Sequence, residues 1–363
     1  MSDIEIKKEE LTPHPRLKKL FDLAAAKEAT DIHLSYANPP ILRIDGSLTP
    51  VEGEKVLNDD DVRELAFSIL TPQMQEKFLA YKDLDISYGY ENKARFRISV
   101  YQQTGRVSAA FRLIPTKIRT IEELNLPPLL KEFTKISQGF FLVVGPSGHG
   151  KSAALAAMIE EINQNRRDHI LTIEDPIEYL FEQKSCIVDQ REVGTDVQDF
   201  HRGLRAMFRE DADVVMIGEM RDPETISTAI TAAETGHLIF STLHTNTAAQ
   251  TIDRIIDAFP PYQQEQIKMQ MSGTILGVLS RRLIPKIGGG VINAVELLIA
   301  NSAVRNLIRE GKVHQIDMVI ETSQEEGMIS LNRSLADLVR RGLITREHAE
   351  MYSVSPSELR MMI

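Results

Sequence analysis

Apolar residues recur at helical spacing over 16–29, where Leu17, Leu20, Leu23 and Ala24 share one face and predict an amphipathic helix. The period then drops to two. Thr30–Ser35 alternates polar and apolar positions, and after Pro39-Pro40 the run Ile41–Gly46 reads as a strand ending in a turn. A second helical pattern occupies 59–80, and alternating stretches follow at Asp83–Tyr90, Ala94–Gln102 and Val107–Leu113. Helices and strands mixed in this order predict a small α+β domain over residues 1–113. Residues 114–130 hold Pro115, Pro127 and Pro128 with few periodic signals, and are read as an interdomain connection.

From Gly139 the rhythm changes to short apolar runs alternating with helical patterns. His169–Ile173, Asp213–Ile217 and His237–Leu243 are strand candidates; Val197–Arg209, Glu224–Thr235 and Ala248–Ala258 are helix candidates. That alternation predicts an α/β domain over 131–363, a parallel sheet covered by helices. After Pro260-Pro261 the pattern predicts a long helix, a turn at Gly288-Gly289-Gly290, one strand and a helical tail.

The chemistry concentrates where the apolar run Phe140–Val144 meets Gly145-Pro146-Ser147-Gly148-His149-Gly150-Lys151-Ser152-Ala153. Gly145-x4-Gly150-Lys151-Ser152 is the pattern of a phosphate-binding loop. Its glycines let successive backbone N–H groups converge on one anion. Lys151 reaches the β- and γ-phosphates, the Ser152 hydroxyl ligates Mg²⁺, and a following helix aims its positive end at the same charge. The alternative is an ordinary glycine turn. Ala153–Ile159 is a strong helix former, so the strand–loop–helix context is met and a nucleoside triphosphate site is expected.

Two further strand candidates end in acids. Thr172-Ile173-Glu174-Asp175-Pro176-Ile177-Glu178 sets carboxylates where ligand-binding groups gather in an open α/β sheet. Glu174 or Asp175 then helps hold Mg²⁺ or position water; a helix cap or turn acid is the bland alternative, favoured on this stretch alone. Asp213–Glu219 ends in Glu219, which is assigned to orienting and deprotonating the attacking water. Gly218 stands where many phosphate-loop enzymes carry a metal-binding aspartate. His244, at the far end of its strand, is placed to sense a γ-phosphate, whereas His237 at the near end suits a structural or interface role. Neither histidine has partners at zinc spacing. Arg95, Arg97 and Arg112 lie on alternating stretches of the first domain, where solvated strand arginines are the plain reading.

Composition narrows the partners. The chain has 363 residues, 42% hydrophobic and 26% charged, with a formal net charge of −10. No apolar run approaches the ~20 residues of a membrane span, and the charged segment Met1–Glu10 is unlike a secretory signal. One cysteine, Cys186, excludes an intrachain disulfide or a cysteine zinc cluster. A cytoplasmic protein is expected. The acidic balance argues against a nucleic-acid partner.

These segments together resemble the secretion-ATPase superfamily and, within it, the PilT family of type IV pilus retraction motors. Gly145–Ser152 looks like the family's Walker A loop, Ile170–Tyr179 like its Asp box, Val214–Asp222 like its Walker B segment and Ala233–Asn246 like its His box. Asp31-Ile32-His33-Leu34, Ala94-Arg95-Phe96-Arg97, Arg209-Glu210-Asp211 and Ala303–Glu310 sharpen the match. The resemblance implies a PAS-like N-terminal domain joined to a RecA-like ATPase domain in a ring hexamer. It implies Glu219 as the catalytic glutamate, with Glu174 and His244 completing the site and Arg95, Arg97 and Arg112 approaching nucleotide at a domain or subunit interface. It also implies work at the inner face of the cytoplasmic membrane on a platform protein similar to PilC, with a paralogous retraction ATPase as a helper. His149 stands where the family commonly has serine, and Ala153 where it often has threonine.

The rival functions are pilus extension or type II secretion assembly, an accessory PilU-like retraction paralogue, a non-hydrolysing nucleotide-dependent regulator and a RecA-type nucleic-acid motor. Assembly motors usually carry a four-cysteine zinc module, which a single cysteine cannot build. Ala303–Glu310 argues against the PilU-like reading, and intact Lys151, Ser152 and Glu219 argue against the regulator.

Overall fold

The computed structural model describes residues 12–363 except 28, 45, 46, 92, 93, 115 and 116. The expected turn at Asp45-Gly46, the charged segment Met1–Glu10 and Pro115 lie outside the described residues. The chain divides between Lys117 and Ile118 into two compact units.

In the first unit, α1 (Pro15–Ala26) begins with a proline, whose missing N–H costs nothing in the first turn. Then come β1 (Asp31–Leu34), β2 (Ile41–Ile44), β3 (Ser47–Pro50), α2 (Asp59–Phe67), α3 (Pro72–Tyr81), β4 (Asp83–Tyr90), β5 (Ala94–Gln103) and β6 (Arg106–Ile114). The six strands form one antiparallel sheet in the order β3-β2-β1-β6-β5-β4. Phe96, Ile98 and Val100 alternate to one face of β5 and are buried with Phe111 and with Leu17, Leu20 and Phe21 of α1. Phe21 stacks on Phe96 at 4.1 Å between ring centroids and meets Phe111 edge-on at 5.6 Å. The single helix expected over 59–80 is two. Thr71 is extended (φ −65°, ψ 159°) and caps α3 through its side chain, because Pro72 cannot donate and disfavours a helical residue before it.

The second unit opens with α4 (Leu130–Thr134) and β7 (Gly139–Val144). It continues through α5 (Lys151–Asn165), β8 (His169–Glu174), β9 (Ile187–Glu192), α6 (Phe200–Met207), β10 (Val214–Ile217), α7 (Pro223–Glu234), β11 (Leu238–Leu243), α8 (Ala248–Asp257) and α9 (Pro261–Thr274). The hairpin β12 (Ile275–Pro285) and β13 (Val291–Ile299) precedes α10 (Ser302–Arg309), α11 (Ile316–Thr322), α12 (Leu331–Arg340), α13 (Arg346–Tyr352) and α14 (Pro356–Met362). The sheet runs β13-β12-β7-β11-β10-β8-β9 and is parallel except for β13 at its edge. Every residue of β7, β10 and β11 is buried, as expected for strands covered by helices on both faces. Ile121, Leu124, Leu126 and Leu130, within the stretch read from sequence as a connection, are buried with Phe133 and Phe141.

Two strands of this sheet carry no sequence expectation. β9 is a polar edge strand, and β12 follows α9 with no break residue between Thr274 and Ile275, so its apolar positions read as more helix. The strand before the triple-glycine turn is therefore an addition to the one expected after it.

Candidate functional site

Two glycines are dictated by what lies beneath the loop. Gly145 leaves β7 at φ +143°, and a Cβ there would stand 2.5 Å from the Arg281 carbonyl oxygen. Gly150 has φ +75°, and its Cβ would meet the Arg281 guanidinium at 3.0 Å. Only glycine fits these backbone conformations without strain. Lys151 then starts α5 with no side-chain cap. Among the described residues the amides of Ser147, Gly148, Gly150, Lys151 and Ser152 have no protein acceptor, so a row of donors faces outward at a helix N-terminus. That is the donor set a phosphate requires. The residues present fit a polyphosphate.

The buried Lys151 Nζ donates to the carbonyls of Gly145 at 3.0 Å and Pro146 at 3.1 Å, and lies 3.3 Å from His244 Nδ1. Burial holds its ammonium below the usual lysine range, opposed by the charges of Glu178 and Glu219. Ser152 and Ala153 follow on the first turn of α5, both partly buried.

Sheet order decides which groups meet. β11 lies between β7 and β10, so the histidine that follows β11 stands between Lys151 and the acid that follows β10. Gly218 N donates to the Ile173 carbonyl at 2.8 Å, and Thr242 Oγ1 donates to the Gly218 carbonyl at 2.6 Å. These bonds hold Gly218 between two strand ends and deliver Glu219 just beyond them. Glu219 is 14% exposed; it pairs with Arg221, and its Oε2 is 3.6 Å from His244 Nε2. Burial and the Lys151 charge depress His244 further below its ordinary value than Glu219 raises it, so the ring is neutral at pH 7. With the ammonium at Nδ1, the ring proton belongs on Nε2, facing Glu219.

Glu174 ends β8 and is buried. Its Oε1 accepts from Thr172 Oγ1 at 2.7 Å and Gln190 Nε2 at 3.2 Å, and its Oε2 accepts from the Glu178 amide at 3.3 Å. Burial pushes its carboxyl up to about 7 against those three bonds. No cluster of three His, Cys, Asp or Glu side chains able to hold a metal occurs among the described residues.

Residues 14–340 match the model of the type II/IV secretion system protein family. The chain is 43% identical to the type IV pilus retraction ATPase PilT of Pseudomonas aeruginosa over 92% of its own length and 96% of that protein. The chain belongs to the PilT family. It is also 42% identical to a twitching motility protein of Neisseria gonorrhoeae, over 85% of this chain and 83% of that one. A crystal structure of the pilus retraction motor PilT with bound ADP superposes with a TM-score of 0.89 at 45% identity, covering 94% of this chain and 98% of the other. The expected fold class is thus the PilT-family fold: a RecA-like α/β unit and a smaller α+β unit before it.

Within this PilT-family chain the structure also places the remaining candidates. Arg95 and Arg97 are partly buried on β5, and Arg95 Nη2 donates to Ser87 Oγ at 2.7 Å. Arg97 pairs in register with Arg112 on β6, and Arg112 Nε donates to Asp31 at 2.9 Å while its side chain stays 68% exposed. The three arginines therefore share the sheet face opposite Phe96 and Phe111. His149 turns its ring away from the row of loop amides: its Nδ1 accepts from Leu283 N at 2.9 Å, so it docks the loop onto β12. His237 sits at the opposite end of β11 from His244, its Nδ1 3.0 Å from the Ala232 carbonyl.

Sequence reading passed over Thr172, Gln190, Arg281 and Glu296. Glu296 on β13 accepts from the Ala248 amide at 2.7 Å, and Ser280 on β12 donates to the Asn246 carbonyl at 2.8 Å. Both pin the segment that follows His244. Gln190 and Arg281 act across neighbouring strands and Glu296 across to the start of α8, contacts a single sequence does not display. Thr172 acts within β8, two residues before Glu174, and a buried charge inside an apolar strand is the one signal Arg281 offered.

Proposed function

We propose that this chain is an ATP-hydrolysing motor whose work retracts type IV pili. The observation that carries the reading is the Lys151–His244–Glu219 chain, set beside a loop of outward-facing amides in a protein of the PilT family. It is a P-loop ATPase. Gly145, Pro146, Ser147, Gly148, His149, Gly150, Lys151, Ser152 and Ala153 form the loop that holds the nucleotide, its amides and Lys151 taking the phosphates. Ser152, with Glu174 behind it, is the anchor for Mg²⁺, which when bound neutralises charge on those phosphates. Glu219 orients the attacking water and accepts its proton. His244, neutral and touching both Lys151 and Glu219, links the group that holds phosphate to the group that activates water.

The first domain, residues 1–113, is PAS-like, and residues 131–363 form the RecA-like ATPase domain with its C-terminal helices. The working form is a ring homohexamer at the inner face of the cytoplasmic membrane, in which Arg95, Arg97 and Arg112 approach phosphate in the assembled ring. Loss of the γ-phosphate removes those contacts and releases a domain rotation. The rotation turns a PilC-like platform protein and draws pilin from the pilus base, a paralogous ATPase assisting. Deleting the coding sequence in the source cell and counting surface pili tests this. Many pili without twitching are expected, whereas bare cells overturn retraction in favour of assembly.

A further inference from the structure

Arg281 is 1% exposed, yet its partners are neutral. Nη1 donates to the Gly150 carbonyl, and Nε at 3.1 Å and Nη2 both donate to Asn293 Oδ1, which is itself held because Asn293 Nδ2 donates to the Leu124 carbonyl. Among the described residues it forms no ion pair with a carboxylate; Tyr179 and the like-charged Arg119 act on it, and its charge is felt in turn by Lys151 and His149 at the loop. Burial pushes the guanidinium down to about 10, which leaves it a cation at neutral pH. A cation taken out of water is costly unless an anion offsets it.

Its position names the anion. β12 pairs in parallel with β7, Ser280 opposite Val144, so the next residue, Arg281, lies directly under the start of the loop. The Gly150 carbonyl that Arg281 grips belongs to the same peptide group as the Lys151 N–H, one of the outward-facing donors. Pulling on the oxygen polarises the peptide and strengthens the N–H at its other end. Leu283, two residues on, fixes the loop a second time through His149.

We propose that Arg281 is a positioning residue that supplies positive charge to the phosphate site from behind the loop, through the Gly150–Lys151 peptide, and that the ligand's negative charge offsets a guanidinium the protein leaves unpaired. The proposal rests on reading Gly145–Ser152 as a nucleotide site.

The test compares wild type, Arg281→Gln and Asn293→Asp, the last placing a carboxylate on the guanidinium. ADP affinity is measured by calorimetry and the unfolding temperature without ligand by circular dichroism. Both variants are expected to bind ADP about ten-fold more weakly, and Arg281→Gln to unfold without ligand at or above the wild-type temperature, because a buried unpaired charge is gone. A purely structural arginine moves that temperature the other way. A lower ligand-free unfolding temperature for Arg281→Gln, or failure of that variant to fold, overturns the proposal. So does ADP affinity within about two-fold of wild type in either variant. Wild-type protein that does not bind ADP sinks the nucleotide reading itself, and that result comes before either variant is compared.

Discussion

Lys151 and Glu219 do not touch each other; His244 stands between them, 3.3 Å from one and 3.6 Å from the other. Gripping and cutting are therefore separable by mutation. Lys151→Ala is expected to lose nucleotide binding in a calorimetric titration. Glu219→Ala should retain binding while its turnover falls about 100-fold or more; wild-type turnover in that variant would refute the assignment. Glu174 carries a pH signature. Its carboxyl titrates at about 7 in the fold against an ordinary 4.5, so between those values the folded chain keeps a proton that the unfolded chain has released. Stability therefore falls as pH rises from 5 to 8. Glu174→Gln removes that loss, and its advantage over wild type should grow from about 1 kcal/mol at pH 5 to about 3 kcal/mol at pH 8. Urea unfolding at the two values checks this, and an equal difference at both defeats it. The loop, Glu219 and His244 were legible because each sits in a contiguous local pattern. Gln190 and Arg281 were not, since sheet register alone brings them to the site, and Thr172, two residues before Glu174 on the same strand, reads as an ordinary strand threonine.

Buried parallel strands announce themselves as mainly apolar runs, unbroken in β7 and β10 and interrupted only by Ser241 and Thr242 in β11, which is why all three were read within a residue or two of their ends. β9 hid because an edge strand needs no apolar run: in Ile187–Glu192 two apolar residues are followed by four polar ones, which reads as loop. β12 hid behind α9 because nothing between Thr274 and Ile275 punctuates the change of period. The helix over 59–80 kept its apolar period across Thr71-Pro72, and the proline, a stronger local constraint than the pattern, split it. In the first unit the packing of α1 on the sheet turns on Phe21, fully buried and in ring contact with Phe96, Phe111, Tyr88 and Tyr90. Phe21→Ala is expected to cost about 3–5 kcal/mol, read as a lower urea midpoint in far-UV circular dichroism. A shift below about 1 kcal/mol would mean the cavity collapses or α1 adds little.

For the chain as a whole, the change of rhythm near Gly139 was enough to separate an α+β region from an α/β region. The division between Lys117 and Ile118 was less visible, because Ile121, Leu124, Leu126 and Leu130 are buried at irregular intervals that match neither structural period. No described helix is long and apolar enough to cross a membrane. The placement of β11 has a mechanical consequence. A strand wedged between the lysine's strand and the glutamate's strand shares its backbone hydrogen bonds with both, so it cannot slide toward one without altering its spacing to the other. Holding fuel and burning it are thereby geared to one moving part, and a mutation that shifts this strand should disturb the two together.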